Sequence, residues 1–206
     1  MDSIIFDIDG TLWDSREVVA KAWNRALLTH STCNIEISPS RLTSLFGKPM
    51  PEIFAALLPG FSEKEYADAA AICYEAQTEA MKTEGGVLYP GVAETIPLLA
   101  KKYPLYIVSN CQCGYIEDFL RLSGLSSYFR GWLCYGDTKK SKGQTILALM
   151  KRYQLHSPVY LGDIMGDALA CYEARIPFIY ASYGFGDVDE SCYAKKITKF
   201  PEMLEA

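Results

Sequence analysis

An apolar stretch near the N-terminus ends in two carboxylates that are one residue apart. Residues 3–10 read SIIFDIDG, so Asp7 and Asp9 flank a single isoleucine. Side chains two apart on a strand point to the same side, and two carboxylates held this close repel each other unless a cation or a shared proton relieves them. Gly10 then allows a sharp turn. The stretch predicts a buried strand that leads to a metal site, to a nucleophile with a proton donor, or to both. The alternative is a purely structural Asp-Gly turn, which would have the same sequence.

The composition indicates a globular protein with one core and a smaller appended unit. The chain has 206 residues, of which 50% are hydrophobic and 22% are charged, and a chain of this size buries a substantial core. A formal net charge of −5 argues against a general nucleic-acid binder. No apolar run is long enough to span a membrane, so we expect no membrane association. A monomer is the default expectation.

The cysteines favour a reducing compartment. Their count of seven is odd, their spacing is irregular, and the N-terminus reads as a strand with acids instead of a signal peptide. We therefore expect free thiols in a cytoplasmic protein. Cys111 and Cys113 are too close together for a standard zinc knuckle, so we expect them to pack in the core or near the site.

Residues 15–84 show a helical pattern that no strand signal interrupts. Apolar residues recur there at helical spacing. Ser38 stands before a proline and predicts a helix start, with Gly47 closing that short helix. Residues 62–65 read SEKE, which fits a capping box at the start of a longer helix. We predict an all-helical segment.

From residue 90 onward, strands and helices alternate. The predicted helices lie at residues 91–102, 115–122, 143–153 and 167–175, the first of them helped by Pro97 only if that proline sits in its first turn. The predicted strands lie at residues 105–108, 132–135, 159–161 and 178–180, the last of these ending the sheet. Such alternation predicts an α/β fold with a doubly wound, Rossmann-like parallel sheet, which the first strand must join. The core would comprise residues 1–14 and 85–206, and residues 15–84 would form an inserted helical cap domain.

Polar side chains follow four successive segments of this pattern. Each alone suits a turn, a helix cap or a solvated lysine, but together they stand where the strands of a parallel sheet end, and ligands bind beyond the carboxyl ends of such strands. The sequence therefore predicts one site at this edge of the sheet. Its candidate residues are Asp7, Asp9, Ser109, Asn110, Lys142, Asp163 and Asp167.

These residues carry a family resemblance over nearly the whole chain. The sequence resembles haloacid-dehalogenase-superfamily phosphatases that have a helical cap after the first strand, in the phosphoglycolate phosphatase and phosphomutase branch. The matching motifs are DIDGTL at residues 7–12 with Asp14-Ser15 behind it, Ser109-Asn110, Lys142, and Gly162-Asp163 with Asp167.

The resemblance implies the roles of the acidic residues. Asp7 would attack the phosphorus and form an aspartyl-phosphate. Asp9 would be the general acid for the leaving alcohol and then the base for water. The implied cofactor is Mg²⁺, held by Asp7, the backbone carbonyl of Asp9 and Asp163. Asp167 would orient Lys142 or a metal-bound water.

The remaining implied roles concern the phosphoryl group and the substrate. Lys142 would offset negative charge on Asp7 and the phosphoryl group, and Ser109, the Asn110 backbone and Thr11 would hold phosphoryl oxygens. Relatives place a Gly-X-Pro loop over the site, so Lys48 could supply a cation to the substrate; a solvated lysine at a helix end is the alternative.

Some positions depart from the family pattern. Ile164 replaces a common serine, and Arg175-Ile176 stands where an Ala-Gly-Ile type sequence is usual. Lys139 and Lys140 compete with Lys142 for the lysine position. These departures leave every predicted catalytic group in place.

The function that this pattern favours is a Mg²⁺-dependent phosphatase acting on a small phosphorylated metabolite. A sugar phosphomutase would use the same site but return the phosphate to its substrate. A dehalogenase would need neither Mg²⁺ nor Asp9, and a non-catalytic binding module would be expected to have lost a motif residue.

Overall fold

The structure, a computed structural model, describes residues 1–30, 35–46, 48 and 50–205. Its strands, in chain order, are β1 (Ser3–Phe6), β2 (Trp13–Asp14), β3 (Val87–Leu88), β4 (Leu105–Ser109), β5 (Phe129–Cys134), β6 (Pro158–Gly162), β7 (Phe178–Ala181) and β8 (Lys195–Ile197). Its helices are α1 (Arg16–His30), α2 (Pro39–Thr43), α3 (Met50–Leu57), α4 (Glu63–Thr83), α5 (Val92–Ala100), α6 (Tyr115–Ser123), α7 (Tyr135–Thr138), α8 (Lys142–Tyr153) and α9 (Met165–Ala174). Short 3₁₀ turns occupy Ser126–Tyr128, Glu190–Cys192 and Phe200–Glu205.

A six-stranded parallel sheet organises the molecule in the order β5-β4-β1-β6-β7-β8. β1 lies between β4 and β6, with Ile4 paired to Leu105 on one side and to Val159 on the other. Ile4 and Phe6 belong to one buried apolar cluster and Ile5 to a second, because alternate side chains of a strand face opposite sides of the sheet. The predicted α/β class and the place of the first strand in a parallel sheet are confirmed.

Between β2 and β3, the described residues form four helices, α1 to α4. Ser38 caps α2 by accepting a hydrogen bond from the backbone N–H of Arg41, and Ser62 and Glu65 form the predicted capping box at the start of α4. The predicted helix end at Gly47 lies outside the described residues. α1 packs along α4, and the Trp23 ring of α1 lies 4.9 Å from that of Phe54 in α3. The division into domains at residues 14 and 85 stays a prediction.

Two short strand features were missed at the sequence level. β2 and β3 pair in antiparallel fashion on either side of α1–α4, with Trp13 opposite Leu88; two-residue strands are too short to show alternation. The prediction that residues 178–180 end the sheet is wrong, because β8 adds an edge strand beside β7. Its sequence, Lys-Lys-Ile, has a polar character that also suits a surface loop. Edge strands often carry lysine.

Two backbone details also differ from expectation. Pro97 lies inside α5, beyond its first turn, where it removes one helical hydrogen bond to the carbonyl of Ala93. Ala93 is exposed, so that carbonyl can bond to water. Arg175 ends α9 in the left-handed conformation, with φ of 57°, which is the conformation that a glycine at this kind of position adopts at lower cost.

No helix within the described residues is both long and apolar enough to cross a membrane.

Candidate active site

The end of β1 places Asp7 in a buried ion pair. The Lys142 ammonium donates to Asp7 Oδ2 at 3.0 Å and to Asp167 Oδ1 at 2.6 Å, and the side chains of all three residues are at most 5% exposed. β6 and α9 carry Asp167 to this point from the strand beside β1. The carboxyl ends of two neighbouring parallel strands therefore bring together residues that are more than a hundred positions apart.

The start of α8 determines which lysine reaches the carboxylates. Ser141 caps this helix by accepting from the backbone N–H of Gln144, and Lys142 is its first residue. Lys139 and Lys140 are exposed, and the Lys139 ammonium lies 5.2 Å from the ring centre of Tyr135. Of the three candidate lysines, Lys142 is the one that contacts the site.

Asp163 and Asp167 accept hydrogen bonds from different donors. Asp167 Oδ2 accepts from the backbone N–H groups of Asp163 and Ile164, at 3.0 and 3.2 Å, so both of its oxygens are engaged. Asp163 accepts from the Thr11 hydroxyl at 3.1 Å and from the Phe185 backbone N–H at 2.8 Å. Thr11 thus supports Asp163.

Gly10 is required for this packing. Its φ is 82°, and a Cβ there would lie 2.0 Å from Asp163 Oδ2. A side chain at this position would therefore displace the Asp163 carboxylate.

Three donors converge on one oxygen of Asp9. Trp13 Nε1 donates at 3.2 Å, the Tyr115 hydroxyl donates at 2.7 Å, and the Ser15 hydroxyl donates to the same Oδ1. The involvement of Trp13 and Tyr115 was missed by sequence reasoning. No local pattern marks Tyr115, which starts a helix 106 residues away, whereas Ser15 belongs to the quoted motif.

Burial controls the charge balance of the site. It raises the pKa of Asp7 to about 6, with Lys142 opposing the rise. It also raises the pKa of Asp163 well above its usual value, reinforced by the charges of Asp167 and Asp7, and it raises the pKa of Asp9. Burial acts to lower the pKa of Lys142, but the neighbouring carboxylates together outweigh it and raise that pKa. Within this cluster the carboxyl groups of Asp7, Asp163 and Asp167 outnumber the single ammonium of Lys142, which offsets only part of their negative charge.

The carboxylates fit a hard divalent cation. Asp7, Asp163 and Asp167 each offer an oxygen, and these oxygens lie within 4.8 Å of one another. Asp7 Oδ1 is buried, and it has no hydrogen-bond partner within the described part of the chain. A buried carboxylate oxygen without a partner is costly, and an all-oxygen donor set suits Mg²⁺. Asp167 accepts from the Lys142 ammonium and from two backbone N–H groups, whereas Asp163 accepts one hydrogen bond on each oxygen. Asp163, together with this Oδ1 of Asp7, is therefore the better ligand candidate.

A cavity of about 220 Å³ opens beside Asp7 and Asp9. Ser109, at the end of β4, and Asn110 line it, and the exposed Lys48 lines it from the helical side. The flanking positions 47 and 49 lie outside the described residues. The site residues predicted from the sequence thus fall into two connected groups, a buried hydrogen-bonded cluster and the lining of this cavity.

The cysteines near the site form a thiol cluster. Cys113 Sγ donates to Asp137 Oδ1 at 3.4 Å, and Cys134 Sγ donates to Asp137 Oδ2 at 3.2 Å, while Cys111 lines the cavity. Every cysteine in the described residues is free.

Comparison with known proteins gives consistent family assignments. The family model described as haloacid dehalogenase-like hydrolase matches residues 4–181. A phosphoglycolate phosphatase of Rhodobacter capsulatus is 26% identical, over 89% of this chain and 85% of its own length. One of Photobacterium profundum is 28% identical, over 88% and 83%. A probable phosphatase of Dickeya dadantii is 26% identical, over 91% and 84%.

Solved structures share the fold. A protein from Haemophilus somnus, described as a predicted phosphoglycolate phosphatase, superimposes with a TM-score of 0.87 at 21% identity, covering 100% of this chain and 97% of the other. A haloacid dehalogenase-like hydrolase from Streptococcus pneumoniae gives 0.84 at 20% identity, with the same coverage.

Proposed function

This chain belongs to the haloacid dehalogenase-like hydrolase family, and from that premise we propose that it is a Mg²⁺-dependent phosphatase of small phosphomonoesters that works through an aspartyl-phosphate at Asp7. The enzyme is a phosphoric monoester hydrolase, as its phosphatase relatives suggest. The observation that carries the mechanism is the state of Asp7, which is buried with one oxygen on Lys142 and the other without a partner among the described residues.

Asp7 is the nucleophile in this proposal. A carboxylate oxygen of Asp7 attacks the phosphorus, an O–P bond forms, and the bond from phosphorus to the substrate alcohol breaks. Water then attacks the phosphorus of the aspartyl-phosphate, which releases inorganic phosphate and regenerates the carboxylate. Lys142 remains charged beside Asp7 and offsets the negative charge that the phosphoryl group brings.

Asp9 moves the protons. It protonates the departing alcohol oxygen and afterwards takes a proton from the attacking water. Its Oδ1 is held by three donors, so its Oδ2 is the oxygen left to exchange a proton. The raised pKa of Asp9, caused by burial, favours the protonated acid that the first step needs.

The remaining site residues would bind Mg²⁺ and the phosphoryl oxygens and position Lys142. When bound, Mg²⁺ neutralises phosphoryl charge, and Asp7, Asp163 and the Asp9 backbone carbonyl would hold it. Ser109 and the Asn110 backbone hold phosphoryl oxygens, and Asp167 positions Lys142. Thr11 is less suited to the predicted phosphate contact, because its hydroxyl is already donated to Asp163. In this arrangement residues 1–14 and 85–206 carry the chemistry, and residues 15–84 form the cap.

Phosphate release tests this function. The purified enzyme is incubated with Mg²⁺ and a panel of phosphomonoesters, and ³¹P NMR follows the products. We expect inorganic phosphate, and none with the Asp7→Asn variant. An isomerised sugar phosphate without free phosphate would identify a phosphomutase instead, and no reaction with any substrate would contradict the proposal.

A further inference from the structure

The wall that faces the catalytic carboxylates contains three aromatic residues beside aliphatic and polar ones. Trp23 of α1, Phe46 after α2, and Tyr74 and Met81 of α4 line the same cavity as Asp7 and Asp9. Trp23, Phe46 and Met81 are at most 8% exposed, so they are held in place by their own packing before any ligand arrives. Aromatic surfaces favour flat apolar ligands, and methionine sulfur also packs well against rings.

Neighbouring contacts fix the Trp23 ring. Its Nε1 donates to Gln77 Oε1 at 3.1 Å, and its ring centre lies 4.9 Å from that of Phe54. The polar atom of the indole is therefore satisfied within the wall, and the fully buried ring backs the more accessible rings of Phe46 and Tyr74. Such a preformed surface lowers the conformational cost of binding.

The charges around the cavity disfavour a short, doubly anionic substrate. A carboxylate beside the phosphoryl group would normally be bound by a buried arginine in bidentate fashion. No arginine lines the cavity among the residues that the structure describes. Lys82 is exposed and lies 3.3 Å from Glu79, and Asp118 adds negative charge to the lining. Lys48 is the remaining lining cation, and it too is exposed.

We propose that the preferred substrate is a phosphomonoester of an aromatic alcohol, with its ring against Tyr74 and Phe46 and its phosphoryl group at Asp7. This inference rests on the proposed phosphatase function and narrows its substrate class. The cavity, at about 220 Å³, is smaller than the roughly 300–1,000 Å³ of drug-sized ligand sites, which suits a small ring system.

A matched set of alkyl phosphates tests the substrate class. Benzyl phosphate, ethyl phosphate and 2-phosphoglycolate all release an aliphatic alcohol as the leaving group. Differences in kcat/KM therefore report mainly the contacts that the rest of each molecule makes with the enzyme. We expect kcat/KM for benzyl phosphate to exceed that of each of the other two by at least about tenfold, from burial of the ring. Equal values, or a preference for 2-phosphoglycolate, would overturn the inference while leaving the phosphatase function intact.

The Tyr74→Ala variant locates the effect on the wall. Tyr74 is only partly buried, so its truncation should not prevent folding. We expect the ratio of kcat/KM for benzyl over ethyl phosphate to fall by about fivefold to tenfold. The control is Tyr172→Ala, at a position 85% exposed outside the cavity, which should leave the ratio unchanged. An unchanged ratio in Tyr74→Ala would count against the aromatic wall.

A binding measurement separates this inference from the catalytic proposal. Isothermal titration calorimetry with Mg²⁺ compares benzylphosphonate with phosphonoacetate, neither of which can be hydrolysed at the carbon–phosphorus bond. Tighter binding of benzylphosphonate, by about tenfold, supports the aromatic class even if no substrate turns over. Tighter binding of phosphonoacetate overturns it. Absence of phosphate release from every ester would instead contradict the proposed function.

Discussion

The two walls of the cavity differ in character, because one carries charged groups and the other is largely apolar. At the sheet edge, Asp7 lines the cavity, and behind it the buried Lys142 ammonium donates to Asp7 and Asp167. On the helical side, Trp23 and Met81 are buried apolar groups. Every phosphomonoester presents the same phosphoryl group but a different alcohol. Under the proposed function, the charged wall would serve the step common to all phosphomonoesters, and the apolar wall would serve the choice among them.

The largest effect is expected at the charged wall. Asp7→Asn should lower kcat by about a thousandfold or more for both benzyl and ethyl phosphate, because an amide is a poor nucleophile. Asp118→Asn is the matched control, since Asp118 lines the cavity but pairs with Arg121 at 2.9 Å, and its activity should stay within a few-fold of wild type. If the loss of kcat in Asp7→Asn differed between benzyl and ethyl phosphate, the charged wall would not act equally on all substrates, which would contradict this division between the walls.

The next effect concerns the metal. Asp163→Ala should raise the Mg²⁺ concentration needed for half-maximal activity by about tenfold to a hundredfold, because a hard-cation site loses one of its few protein oxygens. Activity is measured across a Mg²⁺ titration, and a chelator should abolish turnover of the wild-type enzyme. Full activity of the wild-type enzyme after exhaustive metal removal would contradict the Mg²⁺ requirement.

A smaller effect is expected for Lys48. Lys48→Ala should raise KM severalfold for substrates that reach the helical wall and carry an anionic or hydroxyl group there, because an exposed lysine contributes a modest contact. The measured quantity is the ratio of kcat/KM for such a substrate over that for ethyl phosphate. An unchanged ratio would mean that Lys48 is a surface residue.

The smallest effect tests the energetic cost of the charged wall. The pKa of Asp7 rises from 3.8 to about 6 on burial. At pH values between these two pKa values, the Asp7 carboxyl is ionised in the unfolded chain but keeps its proton in the folded chain. The folded wild type therefore loses stability as the pH rises through this range, and the Asp7→Asn variant, which has no such proton, does not. With a chelator present, the free energy of unfolding of Asp7→Asn relative to wild type should increase by about 1–3 kcal/mol from pH 4 to pH 7. Urea unfolding at several pH values measures this, and a difference that stays flat would contradict the burial cost.

The charged wall was largely predictable because topology does most of the positioning. Once strands and helices alternate, the strand ends meet at one edge, so Asp7, Ser109 and Asp163 could be grouped from their order alone. Choosing Lys142 over Lys139 and Lys140 needed the true start of α8, which propensity gives only to within a few residues.

The apolar wall and the support of Asp9 were not predictable in the same way. Trp23 and Met81 occupy helical stripes that are typical of an ordinary core, and their position beside a cavity depends on how α1 and α4 pack over the sheet edge. Tyr115 reaches Asp9 across 106 residues of sequence. Contacts of this kind depend on tertiary packing, and no local spacing encodes them. β8 was missed because three residues with two lysines carry no apolar alternation.

Trapping the covalent intermediate tests the central claim most directly. The enzyme is mixed with Mg²⁺ and benzyl phosphate, quenched during turnover and reduced with borohydride, which converts an aspartyl-phosphate into homoserine. Peptide mass spectrometry then locates the change. The account predicts homoserine at position 7, in samples that contained substrate and absent from samples without it. Homoserine at another carboxylate, or unmodified Asp7 in an enzyme that is releasing phosphate, would contradict it.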